Sequence, residues 1–510
     1  MLRKIRIVVS VVLLSLITFF FIDFAELTPN HGFLTRIQLI PALLALNIGV
    51  LIALFLLTFL FGRVYCSFIC PLGIWQDVVE WFSKRSKKKK KYKYNYLKPR
   101  NILRYSLLAV VIVAFLSGMT FILGLLDPYS IYARISVNLF KPVYLALNNL
   151  LATILESFNN YSLYFMEVTI RSGISFAVAL VSLLAVSWLA YKYGRLYCNT
   201  ICPVGSLLGI LSRYSLFKIR MSEESCNQCG LCEKVCKASC IDAKNKTVDT
   251  SRCVTCFNCI DTCNRDSIKF TYPHSLKAEV EAEKANDTNE GRRTFLLAAG
   301  TGLLSAPLAK AQEVTAKLSN NVTYKKQYPI SPPGSKSAEH LLKHCTSCHL
   351  CVSRCPVDIL KPAFMEYGLG GIMQPHMSFE KGFCNFDCTI CADVCPNGAL
   401  LPLTVEEKHK LQVGKVVFVL ENCIPYTDGT SCGACSEHCP TQAVSMKPYK
   451  DGLTLPSIDP DICVGCGGCE FICPVRPYRA IYIEGNPVHQ EAKPFEEAEI
   501  IEDAPDGFGF

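Results

Sequence analysis

The chain has 510 residues, half of them hydrophobic, so it is too long for one compact domain and more apolar than an ordinary soluble protein. Its net charge of +9 does not indicate nucleic-acid binding, because ten Lys and Arg residues lie between positions 84 and 100 beside an apolar segment, where a membrane surface is the fitting partner. The 29 cysteines fall in tight groups with short spacings, which excludes a disulfide-stapled scaffold and indicates metal ligation.

Four apolar stretches, at 5–24, 37–61, 103–126 and 173–191, are long enough to cross a hydrocarbon core of about 30 Å. They predict a four-helix membrane domain over residues 1–215. The basic N-terminus and the basic loop at 84–100 then lie on the same side, which the positive-inside rule makes cytoplasmic. Within the outer loop, the stretch 139–156 fits an interfacial helix.

The second and fourth stretches end in related strings, GRVYCSFICPLG at 62–73 and GRLYCNTICPVG at 194–205, so the membrane domain is predicted to contain two repeated helix pairs. Both strings are expected to leave the membrane on the cytoplasmic side. They can bring Cys66, Cys70, Cys198 and Cys202 together beneath the bilayer, to hold an additional metal or to act as a redox pair. The alternative is that the strings only mark helix exits shaped by proline and glycine.

Residues 216–275, the two-cluster unit, contain two consecutive C-x2-C-x2-C-x3-C runs, and this spacing wraps [4Fe–4S] clusters. A zinc site is the weaker alternative. In paired ferredoxins the fourth cysteine of each run serves the other cluster. The predicted ligands are therefore Cys226, Cys229, Cys232 and Cys263 for one cluster, and Cys253, Cys256, Cys259 and Cys236 for the other. Cys240 is left over, as a spare core thiol or a substitute ligand for Cys236.

Residues 316–490, the four-cluster domain or unit, contain four further runs, which raise the predicted total to six [4Fe–4S] clusters. Their cysteines are, run by run, Cys345, Cys348, Cys351 and Cys355; Cys384, Cys388, Cys391 and Cys395; Cys423, Cys432, Cys435 and Cys439; and Cys463, Cys466, Cys469 and Cys473.

The linker at 276–315 contains a twin-arginine pattern that starts at Arg292 and Arg293 and predicts export of the folded four-cluster domain. The alternative is a surface pair of arginines before an ordinary buried helix. Small residues near position 311 leave cleavage open, and the acidic tail at 491–510 is expected to be disordered.

The membrane repeat and the two-cluster unit resemble the membrane polyferredoxins NapH, NosR and CcoG over residues 1–270. From Arg292 onward the chain resembles NapG, including the run that begins Glu421-Asn422-Cys423. The resemblance predicts a NapH–NapG-type fusion with an α-helical membrane domain and α+β bacterial-type ferredoxin domains. Lys237 and Asn264 depart from the pattern, because each stands where a proline usually follows the fourth cysteine.

The resemblance implies a protein of the bacterial cytoplasmic membrane that oxidises a quinol, such as menaquinol, and passes electrons to an extracytoplasmic reductase or cytochrome. It places the two-cluster unit in the cytoplasm and the four-cluster domain in the periplasm. It also implies that the first run of the four-cluster domain pairs with the fourth and the second with the third. On that pattern Cys473 completes the Cys345 site, Cys355 the Cys463 site, Cys439 the Cys384 site and Cys395 the Cys423 site.

A quinol site needs a proton acceptor near a cluster, and the candidates at the outer helix ends are Asp23, Glu26, His31, Asp127 and Glu167. No histidine lies in the four stretches, so a haem relay inside the bilayer is not expected, and a mobile quinone is the predicted bridge between the two faces. The competing function is that of a CcoG-like maturation factor without quinol turnover. The long relay of the four-cluster domain argues against it.

Overall fold

The computed structural model describes residues 2–22, 32–86, 94–168, 170–222, 225–272 and 322–493. Several predicted features lie outside these ranges: Asp23, Glu26 and His31, the middle of the basic loop, the twin-arginine pattern and most of the acidic tail.

Two helices in the described part of the chain are long and apolar enough to cross a membrane, α1 at Leu2–Ile22 and α11 at Gly173–Tyr193. Only 28% and 22% of their apolar windows are buried, whereas the core helix of a soluble protein would be mostly buried. Val12 of α1 and Val181 of α11 are among the exposed apolar side chains. Apolar surface of this extent indicates contact with lipid or with a partner.

The other two apolar stretches do not form the predicted continuous helices. Residues 33–61 divide into α2 at Phe33–Arg36, α3 at Leu39–Leu44 and α4 at Ile48–Phe61. The last break comes at Leu46, whose φ is positive, and at Asn47, whose side chain accepts a hydrogen bond from the backbone of Val50 and so begins α4.

The third stretch is broken in the same manner, into α7 at Asn101–Leu116 and α8 at Thr120–Leu126. Gly118 lies between them with a φ of +81°, a backbone conformation that an α-helix does not contain. The remaining elements of the helical layer are α5 at Val64–Phe68, α6 at Pro71–Ser86, α9 at Pro128–Ile135, a π-helical turn at Ser136–Phe140, α10 at Lys141–Glu156, α12 at Leu196–Thr200 and α13 at Pro203–Ser212.

The two repeated strings turn back into the helical layer instead of leaving it. After α4 and α11 the chain reverses at Gly62 and Gly194, both with positive φ, and continues as α5 and α12. Helix α6 then runs beside α11 in the same direction, because Trp75 Nε1 donates to Ser187 Oγ (3.1 Å) and Ser83 Oγ to Tyr191 O (3.3 Å).

The cysteine that precedes α6 therefore lies deeper in the helical layer than Trp75 does. The four repeat cysteines therefore lie inside the helical layer, whereas the two strings were expected to lead out of it. A glycine-mediated reversal has the same composition as a helix exit, so the sequence pattern did not distinguish the two.

The two-cluster unit consists of two short antiparallel sheets and two single-turn helices. Strand β1, Lys218–Met221, pairs with β4, Ile268–Thr271, and β2, Ile241–Asp242, pairs with β3, Thr247–Val248. The helices, α14 at Leu231–Val235 and α15 at Asn258–Thr262, each begin inside a cysteine run.

The four-cluster unit has the same mixed character. Its longest sheet pairs β7, Leu411–Phe418, with β10, Ile481–Glu491, and the smaller sheets pair β5, Leu360–Pro362, with β6, Pro375–Met377, and β8, Val444–Pro448, with β9, Thr454–Ile458. Its helices are α16 at Ala338–His344, α17 at Leu350–Arg354, α18 at Ile390–Asp393, α19 at Val405–Lys410, α20 at Ile424–Thr427, α21 at Ala434–Glu437 and α22 at Gly468–Ile472, with 3-10 turns at Leu369–Gly371, Leu420–Asn422 and Lys450–Gly452.

The two ferredoxin units contact opposite ends of α1. Near its start, Arg3 forms an ion pair with Asp261 of the two-cluster unit (3.5 Å). At its end, Arg354 of the four-cluster unit donates to Phe20 O (3.1 Å). A helix of 21 residues is about 30 Å long, so the helical layer separates the two units by about the thickness of a bilayer core.

Helix α11 shows the same order of contacts. Ser175, near its start, lies 3.4 Å from His349 Nδ1 of the four-cluster unit, and Arg195, just past its end, donates its backbone N–H to Lys237 O of the two-cluster unit (2.8 Å). Both long helices therefore connect the same two units.

Candidate metal centre

Four of the six cysteine runs share one loop conformation. The residues just before and just after the second cysteine have φ between +51° and +81°, which curls the loop around its thiols. These residues are Gln228 and Gly230, Thr255 and Phe257, Ser347 and His349, and Gly465 and Gly467. A loop that turns twice in this way holds three thiols around one space, as a cubane cluster requires.

The first candidate cluster site is a cavity of about 200 Å³ in the two-cluster unit. The cysteines that line it are Cys226, Cys229, Cys232 and Cys263. These are the four thiols that the run spacing assigns to one cluster, so the donor set fits a [4Fe–4S] group.

The second candidate cluster site is formed by Cys253, Cys256 and Cys259, and Cys236 of the first run lies with them. Burial raises the pKa of Cys259, and the neighbouring thiols of Cys256, Cys253 and Cys236 raise it further. Cys240 lies against this site, 1% exposed, with its Sγ 3.6 Å from Cys236 Sγ. This position is compatible with either predicted role of Cys240, a spare core thiol or a substitute ligand for Cys236.

In the four-cluster unit the runs pair differently from the predicted order. Burial raises the pKa of Cys348 to about 12, and the neighbouring thiol of Cys395 contributes to the rise. Cys395 therefore lies with the first run, where Cys473 was predicted. Cys355 correspondingly lies with the second run, where Cys439 was predicted: it lines a small cavity with Cys384, Cys388 and Cys391.

The third and fourth runs pair with each other in the same manner. Burial raises the pKa of Cys423 to about 12, with Cys473 among the neighbouring thiols that add to it, which replaces the predicted Cys395. Burial likewise raises the pKa of Cys466 to about 12, and Cys439 contributes where Cys355 was predicted. The structural reason is helix packing, since α17 contacts α18 and α21 contacts α22, so consecutive runs form the units.

This pairing can be tested by counting iron in double variants. Cys345→Ser with Cys395→Ser removes two ligands of one site, so we expect a loss of about four iron atoms per chain. Cys345→Ser with Cys473→Ser removes ligands of two sites, and the expected loss is about eight. Anaerobic iron and sulfide analysis distinguishes the two results, and the opposite order of losses would restore the predicted pairing.

The cysteine quartet, Cys66, Cys70, Cys198 and Cys202, is buried in the helical layer, with each residue at most 3% exposed. The arginine of each repeat donates a hydrogen bond to a backbone carbonyl of the other repeat. Arg63 Nη2 donates to Cys198 O (2.9 Å), and Arg195 Nη1 donates to Cys66 O (2.8 Å).

Two glycines permit this close approach. A methyl group on Gly73 would lie 2.4 Å from Cys66 O, and one on Gly205 would lie 2.1 Å from Cys198 O. Both distances are shorter than any normal contact, so only glycine fits at the two positions.

Hydrogen-bond donors surround the sulfur atoms of the quartet. Gln76 Nε2 lies 3.3 Å from Cys198 Sγ, Arg63 Nη2 lies 3.8 Å from Cys66 Sγ, and the backbone N–H of Gly205 donates to Cys202 Sγ (3.3 Å). Burial raises the pKa of Cys70 and Cys202, so a ligand is needed to hold these thiols as thiolates.

Arg63 is an unusual partner for such a site because it is fully buried. Its acceptors are Asn199 Oδ1, three backbone carbonyls and the sulfur of Cys66, and no carboxylate among the described residues forms an ion pair with it. A buried cation requires an anion, and thiolates that bind a metal cluster would supply it. Within the described ranges no three or more His, Cys, Asp or Glu side chains are arranged for a single metal ion.

The quartet is connected to the two-cluster unit through its own strings. Asn199 Nδ2 donates to Ala238 O (3.1 Å), two residues after Cys236, and Arg63 Nη1 donates to Ser251 O (3.2 Å), two residues before Cys253. One side chain from each repeat therefore contacts the loops that carry the second cluster site.

On the opposite side, the quartet is connected to the first site of the four-cluster unit. Tyr197 OH donates to Leu126 O (2.7 Å). Arg134 donates to Gly124 O (2.9 Å) and to Ser347 O (3.3 Å), between Cys345 and Cys348. A methyl group on Gly124 would lie 2.4 Å from Thr346 O, so the two backbones are in direct contact.

Of the predicted quinol residues, two are described. Asp127 is 1% exposed, begins α9, and accepts hydrogen bonds from the backbone and hydroxyl of Ser130 (2.8 and 2.7 Å). Burial raises its pKa to about 6. Glu167 instead lines a cavity of about 270 Å³ together with Cys355, at the junction with the four-cluster unit.

Sequence reasoning missed the arginines of this centre. The repeated Gly-Arg that starts each string was a signal for Arg63 and Arg195. No comparable pattern indicated Arg134, Asn199 or Gln76, because their roles depend on contacts between distant segments.

Comparison with known proteins supports iron–sulfur chemistry along the chain. A model described as a 4Fe-4S binding domain matches residues 43–90 and 175–222, which include the quartet, and two models described as 4Fe-4S dicluster domains match residues 249–359 and 430–476.

Among similar proteins, the ferredoxin-type protein NapF of Escherichia coli K12 is 30% identical over 157 residues, 31% of this chain and 87% of that protein. NapG of the same organism is 32% identical over 197 residues, 36% of this chain and 81% of that protein. The methylamine utilization ferredoxin-type protein MauM of Methylobacillus flagellatus is 34% identical over 157 residues, 28% of this chain and 63% of that protein. No solved structure matches.

Proposed function

Because the chain belongs to the family of ferredoxin-type iron–sulfur proteins represented by NapF and NapG, we propose that it is a membrane electron-transfer protein that oxidises a quinol. Its electrons go to a redox partner, a reductase or cytochrome, on the opposite side of the membrane. For residues 1–270 the proposal rests on the resemblance to NapH, and the chain would then join a NapH-like part and a NapG-like part.

The observation that carries this proposal is the position of the cysteine quartet between the two ferredoxin units. Asn199 contacts the two-cluster side, and Tyr197 contacts the segment that meets the four-cluster unit. An electron path that includes the quartet does not need a mobile quinone to bridge the two faces. On this proposal quinone is the substrate at one end of the path, in place of the predicted bridge between the two faces.

Clusters held by the six cysteine sites, and by the quartet as a seventh, would each supply one-electron transfer at a potential that the surroundings tune. The chain itself excludes water from the quartet, since all four cysteines are buried. Arg63 and Gln76 direct donors at the sulfur atoms, which stabilises added negative charge. The protein thus provides a dry, positively charged site for an electron carrier.

The contacts of α1 support the proposed topology. Its basic start lies at the two-cluster unit, which favours the cytoplasm for that unit, and its other end lies at the four-cluster unit. The twin-arginine pattern in the linker favours export of the four-cluster unit by an independent signal.

The test is anaerobic mixing of the purified full chain with menaquinol while cluster absorbance is followed. We expect the clusters to bleach with menaquinol and with dithionite. Bleaching by dithionite alone would contradict quinol oxidation and favour the maturation-factor function. A sample stripped of iron and sulfide is the control for quinol oxidation without clusters.

A further inference from the structure

An apolar cavity lies between α1 and α6, on the side of the two-cluster unit. Its volume is about 440 Å³. Its walls are mainly apolar and include Ile7, Val11, Ile74, Val78 and Trp81.

The cavity opens where the molecule faces lipid. Val8, about one turn before the cavity-lining Val11 on α1, is 62% exposed. Trp81 and Phe82 form an edge-to-face pair at 4.8 Å on α6, and tryptophan is enriched at membrane–water interfaces. A lipid-soluble molecule can therefore enter without crossing water.

The floor of the cavity is charged. Asp77 pairs with Arg6 (2.7 Å), Arg195 (2.8 Å) and Lys237 (2.7 Å). Burial alone would raise the pKa of Asp77, but these three cations outweigh it and lower that pKa well below its usual range. Asp77 therefore stays ionised and holds the cations in place.

One donor on this floor has no partner. Arg6 is 4% exposed and lines the cavity, and its Nε makes no hydrogen bond to any described residue. A buried N–H without an acceptor is destabilising, and a ligand oxygen in the cavity would supply that acceptor.

The same floor belongs to the iron–sulfur centre. Lys237 and Asn258 line the cavity, and they are the chain neighbours of Cys236 and Cys259. Arg195, which shares Asp77 with Arg6, also reaches within 4.0 Å of Cys198 Sγ. A molecule on this floor would thus lie next to a predicted cluster loop, with only the Arg195 side chain between Asp77 and the cysteine quartet.

We propose that this cavity binds the ring of a membrane quinone, with Arg6 Nε donating to one ring oxygen and the apolar tail leaving between α1 and α6. The inference rests on the proposed quinol oxidation and assigns its site to the two-cluster side, away from Glu167 and the other outer candidates.

In this site a quinol loses two electrons and two protons to become the quinone. Clusters held by the cysteine sites would accept these electrons one at a time and pass them to the redox partner, which is the oxidant. The protons leave in turn by the carboxylate of Glu80, which lines the cavity 3.8 Å from Lys237, and pass to water beyond the membrane surface.

The test compares Val11→Trp with Val12→Trp in the purified full chain. Both substitutions place the same bulk at adjacent positions of α1, about 100° apart around the helix axis, but only Val11 lines the cavity. We expect Val11→Trp to slow bleaching by menadiol by about tenfold or more, equivalent to about 1.4 kcal/mol, while Val12→Trp reacts as the unchanged chain. Dithionite should bleach all three equally, which shows that their clusters are intact.

A second readout does not depend on turnover. A photoreactive azidonaphthoquinone should label peptides of α1 or α6, menaquinone should compete with the label, and Val11→Trp should prevent it. Equal bleaching rates, equal loss in both variants, labelling elsewhere, or competition by phospholipid alone would each overturn the quinone site. If the unchanged chain is labelled but never bleaches with menadiol, quinol oxidation fails while binding in the cavity stands.

Discussion

Replacing Cys66 and Cys198 by serine is expected to stop electron transfer between the two ferredoxin units and to remove about four iron atoms per chain, from about 28 to about 24. The reason is positional. Both residues are buried between the units, and without a redox centre there the remaining sites lie at opposite ends of helices about 30 Å long.

The measurement uses the full chain with menaquinol as reductant. Early bleaching should be confined to the two-cluster unit in the double variant, whereas dithionite should still reduce both units. Thr200→Ser is the matched control, because it alters a buried side chain of the same string without removing a thiol. If the iron count and the reduction of the four-cluster unit were both unchanged, the quartet would have only a structural role.

Replacing Gly124 by alanine is expected to separate the four-cluster unit from the helical layer while leaving its iron in place. The added methyl group would lie 2.4 Å from Thr346 O and 3.0 Å from Thr346 C, and backbone atoms cannot move aside as a flexible side chain can. Overpacking of this kind costs about 1–3 kcal/mol.

Two measurements separate this effect from general damage. Electron transfer from the two-cluster unit should fall, and the junction near Ser347 should become accessible to added protease, while the iron count stays at the level of the unchanged chain. Gly173→Ala is the matched control, since a methyl group there meets no atom within 4 Å. Normal electron transfer in Gly124→Ala would show that this contact does not position the two units.

Much of the chemistry was readable in the sequence because cluster ligation depends on short spacings. The loop from Cys226 to Cys232 curls through left-handed residues at Gln228 and Gly230, a local property of a few residues. The completing cysteine Cys263 also lies where a two-run ferredoxin places it. The predicted α+β character of the ferredoxin units follows from the same local patterns.

Long-range pairing was not readable, and the four-cluster unit shows why. Cys395 and Cys473 have equivalent places in equivalent runs, so spacing alone assigns neither to the Cys345 site. The packing of α17 against α18 decides between them, because it places Cys395 beside the first run. Such helix contacts depend on side chains far apart in the chain.

The sequence by itself determined where the cysteine runs and the apolar segments lie, and that the string at 62–73 recurs at 194–205. Only the tertiary structure decided that the strings reverse at Gly62 and Gly194, that the quartet is buried inside the helical layer, and that Arg63 contacts the opposite repeat. The physical reason is that spacing and hydropathy are properties of neighbouring residues, whereas burial of a charge and close approach of two backbones depend on segments that meet only after folding.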